Sequence, residues 1–250
     1  MSPKGILQSG AVALVTGAGA GIGAATARAL AGQGARVICA ARSFDRVAAL
    51  AEELGAQGHA LALDVTDAAA VANLVESLPA AWREIDIVVA NAGSDIGGRR
   101  RFDEGAMEDW ARTIDTNVTG LVRTCHAVIP GMLARGRGHV VTIGSIAGLR
   151  TFKHGAIYAA TKFAVRAFTD TLRTDYSDTD LRITEILPGL VRTEFAAARH
   201  RGDTAKAAAF YESFPGTLNP EDIADAIVYA LSRPAHVMVA QMVVVPTREK

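Results

Sequence analysis

Short runs of β-branched and apolar residues recur along this 250-residue chain, separated by longer segments rich in Ala, Leu and Arg. The runs fall at 12–16, 36–41, 59–63, 85–90, 139–143, 182–187 and 242–245. Several are almost wholly apolar, which suits parallel strands covered on both faces rather than strands with one wet side. Helical patterns fill 21–33, 44–54, 67–78, 107–135, 157–177 and 220–232. Strand and helix alternating in this way predict βαβ units and a doubly wound α/β fold, a mostly seven-stranded parallel sheet flanked by helices. No repeat, low-complexity tract or change of composition divides the chain, so one domain over 1–250 is expected. Two stretches fit the rhythm poorly, 94–106 and 190–217. Both follow strands and are expected to border a ligand site beyond the strand ends.

The charge balance narrows the classes of partner. Lys+Arg and Asp+Glu both number 26, so nothing favours nucleic acid or an anionic membrane. Cys39 and Cys125 each sit inside an apolar run, which argues against a disulfide framework and for a reducing, cytoplasmic compartment. The first ten residues lack the apolar core of a signal peptide, and no stretch of 18 apolar residues occurs to span a membrane. The histidines (His59, His126, His139, His154, His200 and His236) lack metal-ligand spacing such as HxxxH, and no metal is expected. They read as surface or loop residues, with His154 and His200 nearest the site.

The first strand, AVALVTG, runs straight into AGAGIG. Gly17, Gly21 and Gly23 form a GxxxGxG pattern where a strand meets an Ala-rich helix. Glycine there lets the chain turn sharply and bring backbone N–H groups close to a pyrophosphate, which predicts a Rossmann-type dinucleotide cradle. Nineteen residues beyond Gly23, the second strand ends Ala40-Ala41-Arg42. An Asp or Glu in this region would hold a ribose 2′-OH. Ala41 removes that carboxylate and Arg42 offers a guanidinium to a 2′-phosphate, with Ser43 as a second donor, so the expected cofactor is NADP. Asp45 reads as a helix-start acid.

Tyr158 and Lys162 lie four residues apart in YAATK, with Ser145 thirteen residues upstream in VVTIGSIAG. That spacing puts phenol and ammonium one turn apart on one helix face. A free phenol titrates near pH 10 and is a poor base at neutrality. An ammonium one turn away is expected to favour the phenolate and lower that pKa.

With these residues assembled, the chain resembles the short-chain dehydrogenase/reductase superfamily over nearly its whole length. TGAGAGIG resembles the family's glycine motif, which implies cofactor contacts from Thr16, Gly17, Gly19, Gly21, Ile22 and Gly23. LDVTD places Asp64 and Val65 where the family contacts adenine. Asn91-Ala92-Gly93 matches a motif beside the cofactor, with Ala90 replacing its usual first Asn. Pro188, Gly189, Val191 and Thr193 match the segment that passes the nicotinamide carboxamide. Asn117 in DTNVTG, Ser145, Tyr158 and Lys162 match a catalytic tetrad. The resemblance implies that Tyr158 exchanges a proton with the substrate oxygen while Ser145 orients that oxygen. It also implies that Lys162 holds the nicotinamide ribose, while Asn117 breaks its helix and positions a water leading from Lys162 to solvent.

SLPAAWREIDIVVANAG, EDWARTIDTN, LRTDYSDTDLRITEILPGLVRTEF and RPAHV resemble the branch acting on short 3-hydroxy acids, including serine. That branch is NADP-dependent and usually homotetrameric, which implies subunit contacts through helices near 118–135 and 157–177. Phe163, Phe168 and Leu172 are the apolar surplus expected there. A small anionic substrate would be read by Arg150, Lys153, Arg192 or Arg199 from the loop after Ser145 and from the lid at 190–217. Arg99-Arg100-Arg101 reads as an exposed loop run. Two alternatives remain open: a broad carbonyl or polyol reductase, and a cofactor-binding regulator without turnover.

Overall fold

The seven apolar runs form seven strands in the computed structural model, which describes residues 5–7 and 10–248. In chain order these are β1 (Val12–Thr16), α1 (Gly21–Gly32), β2 (Arg36–Ala41), α2 (Phe44–Leu54), β3 (Gly58–Ala62), α3 (Ala68–Ala72), α4 (Leu74–Ser77) and β4 (Ile85–Ala90). Next come α5 (Met107–Ile114), a π-helical turn (Asp115–Thr119), α6 (Gly120–Ala134), β5 (Gly138–Ile143), α7 (Ala156–Asp175) and β6 (Leu181–Pro188). Two short helices, α8 (Phe195–Arg199) and α9 (Thr204–Glu212), precede α10 (Pro220–Leu231) and β7 (Gln241–Val244). All strands are parallel, in the order β3-β2-β1-β4-β5-β6-β7.

Successive strand residues feed opposite cores. Leu14, Ile38, Val88 and Val140 pack with Leu121, Cys125 and Val128 of α6 and Val165 of α7. Val15, Val37, Val89 and Val141 pack on the other face with Leu30 of α1, Val47 of α2 and Ile223 and Ile227 of α10. Burial on both faces leaves no position for a polar alternation, so the strands read as continuous apolar runs. Each such side chain contributes roughly 1.5–3 kcal/mol when fully buried.

The boundaries differ from expectation in informative places. The 67–78 segment breaks at Asn73, whose side-chain amide donates back to the Ala69 carbonyl. The 107–135 segment is interrupted by the π turn that contains Asn117. Of the apolar residues expected on more than one face of α7, Phe168 and Leu172 pack into the core, whereas Phe163 is 39 % exposed.

The sheet places its ligand crevice by topology. The chain leaves β1 toward β2 and β3, then crosses back to β4 on β1's other side. Loops diverge at that switch point and open a crevice beyond the carboxyl ends of the strands. Among the described residues, no helix is long and apolar enough to cross a membrane.

Candidate active site

A cavity of about 770 Å³ opens there, lined by the turn after β1, the end of β2 and the loops after β4, β5 and β6. Gly17 has φ +68°, in the left-handed region, and a Cβ there would sit 3.0 Å from the Ala92 backbone. At Gly23 a Cβ would lie 2.3 Å from the Gly17 carbonyl oxygen, so only glycine lets α1 start pressed against the turn. The result is a bare turn with the positive end of a 12-residue helix behind it. Gly17, Gly19, Gly21 and Ile22 line the cavity.

Thr16 and Gly23, expected to touch a cofactor, stand behind the lining. The Thr16 hydroxyl accepts the Asn91 and Ala92 N–H groups, both at 3.1 Å, while the Asn91 amide donates to the Thr16 carbonyl at 2.9 Å. These bonds pin the Asn91-Ala92-Gly93 segment beside the glycine turn.

Asp64, Val65, Asn91, Ala92, Gly93, Pro188, Gly189, Val191 and Thr193 all line the cavity. At the far end, Arg42 and Ser43 line it where β2 gives way to α2, both exposed, with Ala41 in the position an acid would take. Burial works to raise the Asp64 pKa, but hydrogen bonds from Thr66 and the nearby Arg42 hold it below the usual value. The residues present therefore fit a dinucleotide: a turn too tight for side chains, backbone donors for a pyrophosphate, and a guanidinium and hydroxyl for a 2′-phosphate. Sequence reasoning missed Arg46, which also lines this end and pairs with Glu194 at 2.6 Å.

The candidate catalytic side chains gather at the end of β5. Ser145 follows the strand in extended conformation, 8 % exposed, and its hydroxyl accepts the Ala147 N–H. Ser145 and Tyr158 both line the cavity, and Ser145 lies close enough to the phenol to act on its ionisation. Lys162 lies one turn beyond Tyr158 on α7, and its Nζ donates to the Ile143 carbonyl at 2.8 Å, tying the helix to the end of β5.

The charges differ from the sequence expectation. Burial pushes the Tyr158 phenol up to about 12, against the lowering pull of Ser145, Arg199 and Arg99. Burial also brings the Lys162 ammonium down to about 8, opposed by Glu185. Glu185 is fully buried on β6 and is held by Gln241 at 2.7 Å. Four-residue spacing reveals proximity but not the dehydration that dominates both groups.

Asn117 is buried behind the cavity wall. Its side-chain amide donates to the Ser94 carbonyl at 2.8 Å and to Thr161 Oγ1 at 3.1 Å, and its oxygen accepts the Ser94 N–H at 2.7 Å. Thr161 in turn donates to the Tyr158 carbonyl. The side chain staples the loop after β4 to the Tyr158 helix.

The substrate end departs most from expectation. Arg150 and Arg199 line the cavity, but Lys153 and Arg192 do not; Arg192 instead stacks on Tyr211 at 5.1 Å. Arg199 is buried and paired with Asp95 at 2.7 Å. Arg99, Arg100 and Arg101 are exposed as expected, but Arg99 also lines the cavity, while Arg101 pairs with Asp103 on the surface. Phe152, Phe195, Phe210 and Phe214 complete an aromatic wall that no motif announced. His139 is also a correction: it is fully buried on β5, with Nε2 2.7 Å from Thr184 Oγ1.

Such a cradle beside a serine, a phenol and an ammonium defines a class of nucleotide-linked oxidoreductase, and comparison with known proteins agrees. The short chain dehydrogenase family matches residues 11–204, and the chain belongs to that family. It is similar to the NADP-dependent 3-hydroxy acid dehydrogenase YdfG of Salmonella typhi, 43% identical over 239 residues, covering 95% of this chain and 96% of that protein. Sulfoacetaldehyde reductase 2 of Chromohalobacter salexigens is 39% identical over 241 residues, covering 95% of each chain. Among solved structures, the closed form of serine dehydrogenase complexed with NADP+ superposes with a TM-score of 0.90 at 42% identity, covering 93% of this chain and 94% of that one.

Proposed function

We propose that this chain is an NADP-dependent oxidoreductase interconverting a short 3-hydroxy acid and its carbonyl partner. The observation that carries the reading is that Ser145, Tyr158 and Lys162 line one end of a single cavity whose other end holds Arg42 and Ser43. In this reading the Ser145 and Tyr158 hydroxyls grip the substrate oxygen. A bound NADP supplies the hydride or takes it up. Tyr158 gives its proton to that oxygen in reduction and accepts one in oxidation. Lys162 holds the end of β5, and with it the Ser145 loop, and offers its ammonium to the nicotinamide ribose. Asn117 keeps the Tyr158 helix and the Ser94 loop in one frame.

Burial that pushes the phenol up to about 12 makes Tyr158 a proton donor at neutral pH. Carbonyl reduction is therefore the direction this site is charged for, and oxidation requires the phenolate. Oxidation is expected to accelerate from neutral toward alkaline pH while reduction slows. Initial rates in both directions across that range check this, and an oxidation rate that falls with rising pH contradicts the role.

The named relatives support an anionic substrate, since a 3-hydroxy acid and sulfoacetaldehyde are both small anions. The cavity answers with Arg99, Arg150 and Arg199 at its substrate end. The segment 190–217 is read as the lid over that end. Two finer readings accompany the main one. Exposed Val122 and Phe163 on α6 and α7 support a homotetramer, which light scattering would test. Cys39 and Cys125, both buried and free, suit a reducing cytoplasmic compartment.

NADPH absorbance decides the substrate class. A 3-hydroxy acid is expected to exceed its uncharged methyl ester in kcat/KM by about tenfold or more, as a charge-assisted contact would give. Equal values would favour the broad carbonyl reductase.

A further inference from the structure

We propose that Arg99 reads the anionic group of the substrate, and that the Asp95–Arg199 pair is the frame that holds it in place. This rests on the hydroxy-acid reading of the same site and names the residue that would make it selective.

The argument begins with a charge count. Asp95, Arg99 and Arg199 all lie close enough to Tyr158 to act on its ionisation. Asp95 and Arg199 are buried and joined at 2.7 Å, so they neutralise each other. No carboxylate among the described residues pairs with Arg99. The trio thus leaves one positive charge over beside the phenol. Arg99 also sits within the influence of a second guanidinium, which together with burial lowers its pKa. A guanidinium stays protonated even so. A partly dehydrated charge with a like neighbour gains from any anion that enters.

Geometry then fixes how Arg99 presents itself. Its guanidinium lies over Phe152 at 4.3 Å and over Phe210 at 5.3 Å. Arg199 lies over the same Phe210 at 5.0 Å. The ring faces attract the cations and hold the plane of the fork without using its N–H donors. Those donors remain for a bidentate carboxylate. Phe152 belongs to the loop after Ser145 and Phe210 to α9 in the lid, so Arg99 is gripped by the segments that flank the reacting oxygen. Arg99 is an exposed residue, accessible to an incoming ligand.

The other candidates are placed differently. Arg199 is engaged by Asp95, Lys153 and Arg192 lie outside the cavity lining, and Arg150 lines the cavity but already has a partner of its own. The ligand that fits is a small carboxylate whose apolar carbons pass along the phenylalanine wall.

The test uses the full-length enzyme with Arg99→Gln, Arg99→Lys and, as a surface control, Arg101→Gln. Each is assayed with a 3-hydroxy acid and with its methyl ester, and malonate is added as a non-reacting dicarboxylate against ester turnover. Arg99→Gln is expected to lower kcat/KM for the acid about 10- to 100-fold, mainly through KM, while leaving the ester and NADP affinity unchanged. Arg99→Lys should recover part of the loss, since a point charge replaces a fork. Arg101→Gln should match wild type. Malonate should inhibit ester turnover by wild type and lose that effect in Arg99→Gln. The proposal is overturned if Arg99→Gln keeps the acid kcat/KM, or loses acid and ester equally, which would make Arg99 purely structural. If wild type shows no preference for the acid, yet malonate inhibits and Arg99→Gln abolishes the inhibition, the hydroxy-acid reading falls and Arg99 stands as the anion reader. No malonate inhibition and no acid preference in wild type would overturn both.

Discussion

The floor of the cavity takes its reacting groups from short stretches of chain, with Ser145 directly after β5 and Tyr158 and Lys162 one turn apart on α7. Its roof is joined across 104 residues by the Asp95–Arg199 pair. The floor is backed by both main cores, through strands whose side chains are fully buried. The roof has only a small core of its own, Ala196, Ala207 and Tyr211, with the Tyr211 hydroxyl bonded to the Thr193 backbone in both directions. A rigid scaffold under the chemistry and a lightly held cover over the substrate is a common division of labour, because loops can change selectivity without disturbing the reacting geometry. In the proposed reading proton transfer belongs to the floor and recognition to the roof.

The largest effect expected is on the floor. Tyr158→Phe keeps the ring and loses the transferable proton, so turnover should fall about 10²–10⁴-fold with NADP affinity retained. Single-turnover rates and a cofactor titration check this; activity within a few-fold of wild type removes Tyr158 from its role.

On the roof, Asp95→Ala leaves Arg199 buried without its partner. Breaking a buried pair typically costs about 3–5 kcal/mol, here confined to the lid and its contact with the loop after β4. Faster hydrogen exchange over 195–212, with the sheet still protected, is the expected result. Global unfolding at the same midpoint shift would mean that roof and floor are one cooperative unit.

The cofactor end gives a smaller effect. Arg42→Ala should lower kcat/KM with NADP about 10- to 100-fold and leave NAD nearly unchanged, the range of roughly 1.5–3 kcal/mol for bonds to a charged group. A wild-type preference for NAD would contradict the assignment.

Smallest of all is the strap between the two ends. Arg46 and Glu194 pair at 2.6 Å but are 53% and 64% exposed, so Glu194→Gln should change stability by no more than about 1 kcal/mol. A larger loss in thermal melting would show that this surface contact anchors the lid.

The same division explains what the sequence reveals. Strands buried on both faces announce themselves as apolar runs, and a Tyr and Lys four apart on a helix must share a face. Gly17 and Gly23 are legible because nothing else fits the turn. Arg99 is not legible, since one arginine of three in a row reads as solvated until Phe152 and Phe210 arrive from more than fifty residues away. Arg192 and Lys153 looked equally apt by position in the chain, and only folding turns them away from the cavity. The protonation of Tyr158 is hidden for a related reason: burial sets it, and burial is a property of the whole fold.

The most direct test of the division is the ratio of kcat/KM for a 3-hydroxy acid to that for its methyl ester, compared between Ser145→Ala and Arg99→Gln. Ser145→Ala weakens the grip on the reacting oxygen that both substrates share, so both rates should fall while the ratio stays at the wild-type value. Arg99→Gln should collapse the ratio toward one with the ester rate intact. A ratio that collapses in Ser145→Ala, or survives in Arg99→Gln, would contradict the assignment of chemistry to the floor and recognition to the roof.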